Sequence, residues 1–121
     1  MLNLDTHILL RALAGELNAK EEKLLAGDEW CISDIVLWEI AKLTELGQLE
    51  LDLDDATLTR TLARIHTWPV TLDIARAVPL LDFRGDAADE IICATSLVHR
   101  IPLVTRDPKI RKSKVVPFAG S

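Results

Sequence analysis

Apolar segments of this chain lie repeatedly beside acidic residues. MLNL stops at Asp5, PLVT runs into Arg106-Asp107, Glu39 sits inside IVLWEIAKL, and Asp86 and Asp89 stand just before the run IICATSLV. Surface carboxylates ordinarily scatter over solvated faces. Carboxylates at the ends of buried segments are instead placed where distant parts of a chain converge. Converging carboxylates repel one another unless a cation joins them. An all-oxygen donor set of this kind suits Mg²⁺ or Mn²⁺, which points to metal-dependent phosphate chemistry.

The order of the segments says what could bring them together. MLNL reads as a strand, followed by helices over roughly 7–14 and 19–25, closed by Gly15 and Gly27. WCIS (30–33) reads as a second strand. Asp34 is a candidate N-cap for a helix to Leu46, with apolar residues at 35, 36, 37, 40, 43 and 46. A helix over 54–67 puts Leu58, Leu62 and Ile65 on one face, and Pro69 separates it from a third strand, VTL (70–72). Asp73 can cap a helix over 74–82 that Pro79 must kink or shorten. Asp86 or Ala87 opens a helix to about His99; PLVT (102–105) and VVPF (115–118) read as the last strands. This alternation predicts a single α/β domain over 1–121, with a mostly parallel sheet. Sites in such sheets form at the carboxyl ends of strands, where Asp5 and Asp107 stand.

Composition excludes several classes. At 121 residues, 49% hydrophobic and 27% charged, the chain has the balance of a globular domain. No apolar run approaches the roughly 20 residues that cross a bilayer, and the start lacks the basic leader of a signal peptide. Cys31 and Cys93 are far apart in apolar surroundings, which predicts two buried free thiols and a reducing cytoplasm. A net charge of −5 argues against bulk attraction to nucleic acid. The exception is RDPKIRKSK (106–114), where Arg106, Lys109, Arg111 and Lys112 could guide a phosphate backbone, or form an ordinary solvated loop. Nucleophile-elbow, Walker and dinucleotide signatures are absent.

Each acidic residue also has a structural alternative. Asp5 can cap the helix that follows it. Glu39 can lie on a polar stripe and meet Lys42 one turn on. Asp86 and Asp89, three apart, share the first turn of a helix, one as cap and one favoured by the helix dipole. Asp107 can serve a turn before Pro108. Thr105 could orient a carboxylate or a bound water, Thr6 beside Asp5 is a second supporting candidate, and His7 could touch a phosphate.

Taken together, LDTH, LWEIAKL, the DxADxIICATSL helix and IPLVTRD resemble the PIN domain family, and more closely its VapC-like toxin branch. They follow the family's order and spacing over residues 2–107. The resemblance implies a three-layer α/β/α sandwich of the RNase H-like kind and a Mg²⁺- or Mn²⁺-dependent endoribonuclease. By position, Asp5, Glu39, Asp89 and Asp107 match its acidic quartet, Asp86 an additional acidic position, and Thr105 the hydroxyl residue that supports the last Asp. It further implies a toxin neutralised by a cognate antitoxin, often a homodimer, touching DNA only through that antitoxin. Ile35-Val36 departs from the family by replacing a second Ser common ahead of the WE pair. Two alternatives stand beside this reading. One is a catalytically inactive protein-binding module of the same fold. The other is a small-molecule metal-dependent phosphohydrolase, although the DxDxT segment of one such family lacks its second Asp here.

Overall fold

Residues 1–120 are described by a computed structural model. Four strands, β1 (Leu2–Leu4), β2 (Trp30–Ser33), β3 (His66–Trp68) and β4 (Leu103–Val104), form one sheet in the order β3-β2-β1-β4. All three pairings are parallel. Side chains alternate between the faces of a strand, yet every residue of β1 and β4 is buried, as are Cys31, Ile32 and Ser33 of β2. Both faces are therefore covered, the condition under which short parallel strands persist.

The covering helices are α1 (Thr6–Ala14), α2 (Ala19–Ala26), α3 (Ile35–Glu45), α4 (Ala56–Ala63), α5 (Leu72–Ala77), α6 (Ala87–His99) and α7 (Pro108–Arg111), with a 3₁₀ turn at Val78–Leu80. Local chemistry sets their ends. Asp5 caps α1, and Gly15 closes it in the left-handed region at φ 71°. Asn18 and Glu21 form a reciprocal capping box at the start of α2. Asp86 caps α6 by accepting Asp89 N–H at 2.9 Å. On the far side of the sheet from Leu2 and Leu4, Asn3 points at α6, donating from Nδ2 to Ser96 Oγ at 2.8 Å and to the Ile92 carbonyl at 3.2 Å. The same face carries Trp68, whose ring stacks on His99 of α6 at 3.8 Å.

Several boundaries differ from those read in the sequence. The third strand is His66–Trp68 rather than 70–72, and α4 stops at Ala63. Ile65, Thr67 and Trp68 suit a strand, and register with β2 at Cys31, Ile32 and Ser33 overrides the helical spacing. Asp34 does not cap α3; its Oδ2 accepts Val70 N–H at 3.3 Å. Thr71, not Asp73, caps α5. The segment after Asp107 folds into α7, with Pro108 in its first turn, where a missing N–H costs nothing. VVPF contributes one bridge, Leu103 to Phe118, rather than a strand; Pro117 has no N–H to extend the ladder.

The connections place the site. From β1 to β2 to β3 the chain moves one way across the sheet, then returns past β1 to lay β4 on its other side. The β1/β4 boundary is thus a topological switch point, and a crevice opens at its carboxyl ends. Asp5 follows β1 directly and Thr105 follows β4 directly. Asn3 anchors this arrangement from within. Asn3→Ala should cost about 1–3 kcal/mol, because it removes the partner of the buried Ser96 hydroxyl. Urea unfolding followed by circular dichroism measures this; a loss under about 0.5 kcal/mol, the scatter of surface changes, would contradict it.

Candidate metal centre

Asp5 is 4% exposed, and both carboxylate oxygens are occupied. Oδ1 accepts the Thr6 N–H at 2.8 Å, and Oδ2 accepts the Thr105 hydroxyl at 2.6 Å. The second bond spans the switch point from β4 to β1. Thr105 Oγ1 also accepts Asp107 N–H at 3.1 Å, so one hydroxyl sets the positions of two acidic residues. Asp107 caps α7, its Oδ1 accepting Lys109 N–H at 2.9 Å.

Glu39 reaches the crevice from α3. The Thr6 hydroxyl donates to Glu39 Oε1, so residue 6 orients Asp5 through its backbone and Glu39 through its side chain. The polar support that Ile35-Val36 cannot give Glu39 comes from across the site. Lys42 pairs with Glu45 at 3.4 Å, not with Glu39, which leaves Glu39 to the crevice. Glu39 meets Asp86 and Asp89 there, the three offering carboxylate oxygens that all lie within 4.8 Å of one another. Asp86 therefore both caps α6 and faces the cluster. Asp5 stands next to this trio, and Asp107 stands on the Asp5 side of the crevice, where both line one cleft.

Electrostatics register the crowding. Asp89 is pushed up to about 7, first by burial and then by the charges of Asp86, Asp5, Glu39 and Asp107. Gly85 contributes to the cover, since a Cβ there would come within 3.4 Å of Asp89 Cβ. Asp5 is raised by burial against the opposing effects of its Thr105 and Thr6 bonds. Glu39 is raised by burial, with Asp5 and Asp86 adding to the shift. Each of these carboxylates would release its proton more readily with a cation beside it. The donor set is all carboxylate, and the near cysteine, Cys93, is buried with its thiol pushed far up. Such an all-oxygen set fits a hard divalent cation.

The basic residues expected to meet a phosphate backbone divide. Arg106 is bound on both sides of its guanidinium by Glu21, with Nε to Oε2 at 2.6 Å. Arg111 donates to the Thr105 carbonyl at 3.2 Å and lies 5.3 Å over the Phe118 ring. Lys109 and Lys112 are exposed on and just after α7. Sequence reasoning did not identify Glu21 as part of the surroundings. It is 85 residues from its partner and reads locally as a capping-box acid.

The fold is thus a parallel α/β sheet with carboxylates gathered at a strand-order reversal, an arrangement that a cation could join. The PIN domain family model matches residues 3–115, and the chain belongs to that family. Ribonuclease VapC22 of Mycobacterium tuberculosis is 29% identical over 79% of this chain and 76% of its own length. Solved structures share the fold. A chain of VapBC2 from Rickettsia felis, bound to a DNA fragment from their promoter, superposes with a TM-score of 0.73 at 18% identity, covering 98% of this chain and 97% of that one. A chain of FitAcB from Neisseria gonorrhoeae gives 0.68 at 23% identity, covering 98% and 96%. A chain of a toxin–antitoxin complex from Klebsiella pneumoniae gives 0.68 at 23% identity, covering 90% and 88%.

Linkage fixes the sign of a pH dependence. In the unfolded chain Asp89 titrates near the ordinary 3.8, in the folded protein near 7. Between these values the folded state holds a proton that the unfolded chain has released. Stability is therefore full below the lower value and is lost as pH rises through the upper one. Asp5 and Glu39 shift the same way. The depressed carboxylates, Glu21, Asp28 and Asp82, act with the opposite sign but below the ordinary carboxylate range. In EDTA the urea midpoint should fall between pH 5 and pH 8, and millimolar Mg²⁺ should restore most of the loss at pH 8. A midpoint that is flat or rises in EDTA contradicts the assignment.

Proposed function

We propose that this chain is a divalent-metal-dependent endoribonuclease and the toxin of a toxin–antitoxin pair. The observation that carries the reading is the convergence of Glu39, Asp86 and Asp89 beside Asp5 at the switch-point crevice. Membership of the PIN domain family and the likeness to a ribonuclease support it.

Glu39, Asp86 and Asp89 are the residues to hold Mg²⁺ or Mn²⁺, with Asp5 and Asp107 completing the acidic set. Such a cation, when bound, supplies Lewis-acid polarisation of a phosphodiester and activation of water at neutral pH. The chain's own residues do the orienting. Thr105 and the Thr6 N–H hold Asp5 in one rotamer, Thr6 holds Glu39, and the Asp86 cap fixes the first turn of α6 that carries Asp89. Preorganisation of this kind removes the reorganisation that mobile carboxylates would need at the moment of reaction. Lys109 and Lys112, unpaired with the acidic set, supply positive charge to steer the strand towards an otherwise acidic crevice.

A protein partner has a surface to cover. Trp38 is 54% exposed on α3, next to Glu39, with Leu37 also exposed on that helix and Leu46 just past its end. Large apolar side chains left open beside a reactive centre fit an antitoxin segment laid along α3, and also a second copy of the chain. No helix of the described residues is long and apolar enough to cross a membrane.

The test is cleavage of total cellular RNA by purified protein in Mg²⁺, in Mn²⁺ and in EDTA, with Asp5→Asn beside it. Cutting should require the metal and fall by at least about a hundredfold in the variant, the scale on which lost transition-state electrostatics act. A folded Asp5→Asn protein that cuts at the wild-type rate would falsify the role given to the acidic set.

A further inference from the structure

The crevice has a second wall that the acidic residues do not use. A cleft of about 350 Å³ is lined by Asp5, His7, Arg11, Arg106 and Asp107. His7 and Arg11 are four apart on α1, so they share a face and lie about 6 Å apart along the axis. His7 is close enough to bear on the charge of both Asp5 and Glu39. Arg11 lies towards Glu21 at the other end. Of the two guanidiniums in the cleft, Arg106 is already neutralised by its two-pronged pairing with Glu21. Arg11 is half-buried and makes no ion pair among the described residues.

We propose that this cleft is a phosphate subsite of the RNA strand. Arg11 grips the phosphate neighbouring the one held at the acidic cluster, and His7 lines the path between them. The inference rests on the nuclease reading and adds to it the direction in which the strand leaves the centre, along α1 towards α2. A guanidinium fork matches two phosphate oxygens at once, which a lysine cannot do. The Glu21–Arg106 pair then acts on position: it fixes the turn carrying Asp107 and keeps Glu21 from capturing Arg11. An acidic peptide is the other anion a guanidinium would take. RNA is favoured because the cleft opens onto Asp5 and Asp107, where the reacting phosphate has to lie.

The experiment reads binding rather than turnover. A fluorescent single-stranded RNA of mixed sequence is titrated with Asp5→Asn protein in Mg²⁺, over a series of KCl concentrations. The same is done with Arg11→Gln, Arg11→Lys and the exposed control Arg76→Gln, each added to Asp5→Asn. Arg11→Gln should weaken binding about tenfold and make the plot of log affinity against log salt shallower by about 0.7, the contribution of one phosphate contact on a single strand. Arg11→Lys should keep the slope while losing part of the affinity, and Arg76→Gln should change neither. An unchanged slope and affinity in Arg11→Gln, with the Asp5→Asn parent binding RNA, overturns the subsite and leaves the nuclease reading standing. So does an equal loss of slope in Arg11→Lys, because charge is then not what the position supplies. A parent that binds no RNA overturns the nuclease reading and the subsite with it.

Discussion

The hydrogen bond from Thr105 to Asp5 joins the two strands on which the site depends. β1 and β4 are neighbours in the sheet but separated by a hundred residues of chain. Their parallel pairing places one carboxylate and one hydroxyl at the same level of the crevice. The hydroxyl satisfies one buried oxygen of Asp5, the Thr6 N–H the other. Without both, a carboxylate this deeply buried would be costly to ionise. Because Thr105 also receives the Asp107 N–H, the two strand ends and the start of α7 are set by one side chain. Thr6 then carries the arrangement to α3 by holding Glu39.

The cost of that order is mutual repulsion. Burial and neighbouring charges raise Asp5, Glu39 and Asp89 together, and no lysine or arginine among the described residues forms an ion pair with any of them. A stabilising salt bridge was within reach, since Arg106 is adjacent to Asp107 in the chain. The fold instead commits Arg106 to Glu21 on α2. The crevice is thereby left acidic, while positive charge is kept to its margins on α1 and α7. Perturbed carboxylates in a cleft are a recurrent mark of functional sites. Here the physical reason is visible residue by residue.

Much of this was legible in the sequence because strand ends and helix caps are local signals. Asp5 after MLNL, Asp86 three residues before Asp89, and the alternation of strands and helices all read correctly into a parallel α/β fold. Cap and cluster are not exclusive positions for Asp86, which caps α6 and also faces Glu39 and Asp89. What could not be read was set by contacts distant in sequence. The strand at His66–Trp68 hides inside a helical spacing until β2 pairs with it. Asp34 looks like a cap until Val70 offers it an N–H. The capture of Arg106 by Glu21 has no local signature at all. Arg11, inside an apolar helix, gave no signal until its neighbours were known.

The central claim is that these carboxylates form a divalent cation site. Mn²⁺ titration followed by electron paramagnetic resonance tests it most directly, because bound and free ions are distinguished without any substrate. Wild-type protein at pH 7.5 should remove the free-ion signal saturably, and Mg²⁺ should compete. Asp89→Asn should weaken the binding by at least about tenfold, the scale on which changes around a metal site alter affinity. Saturable binding that Asp89→Asn leaves intact, or no binding by folded wild-type protein, would contradict the account.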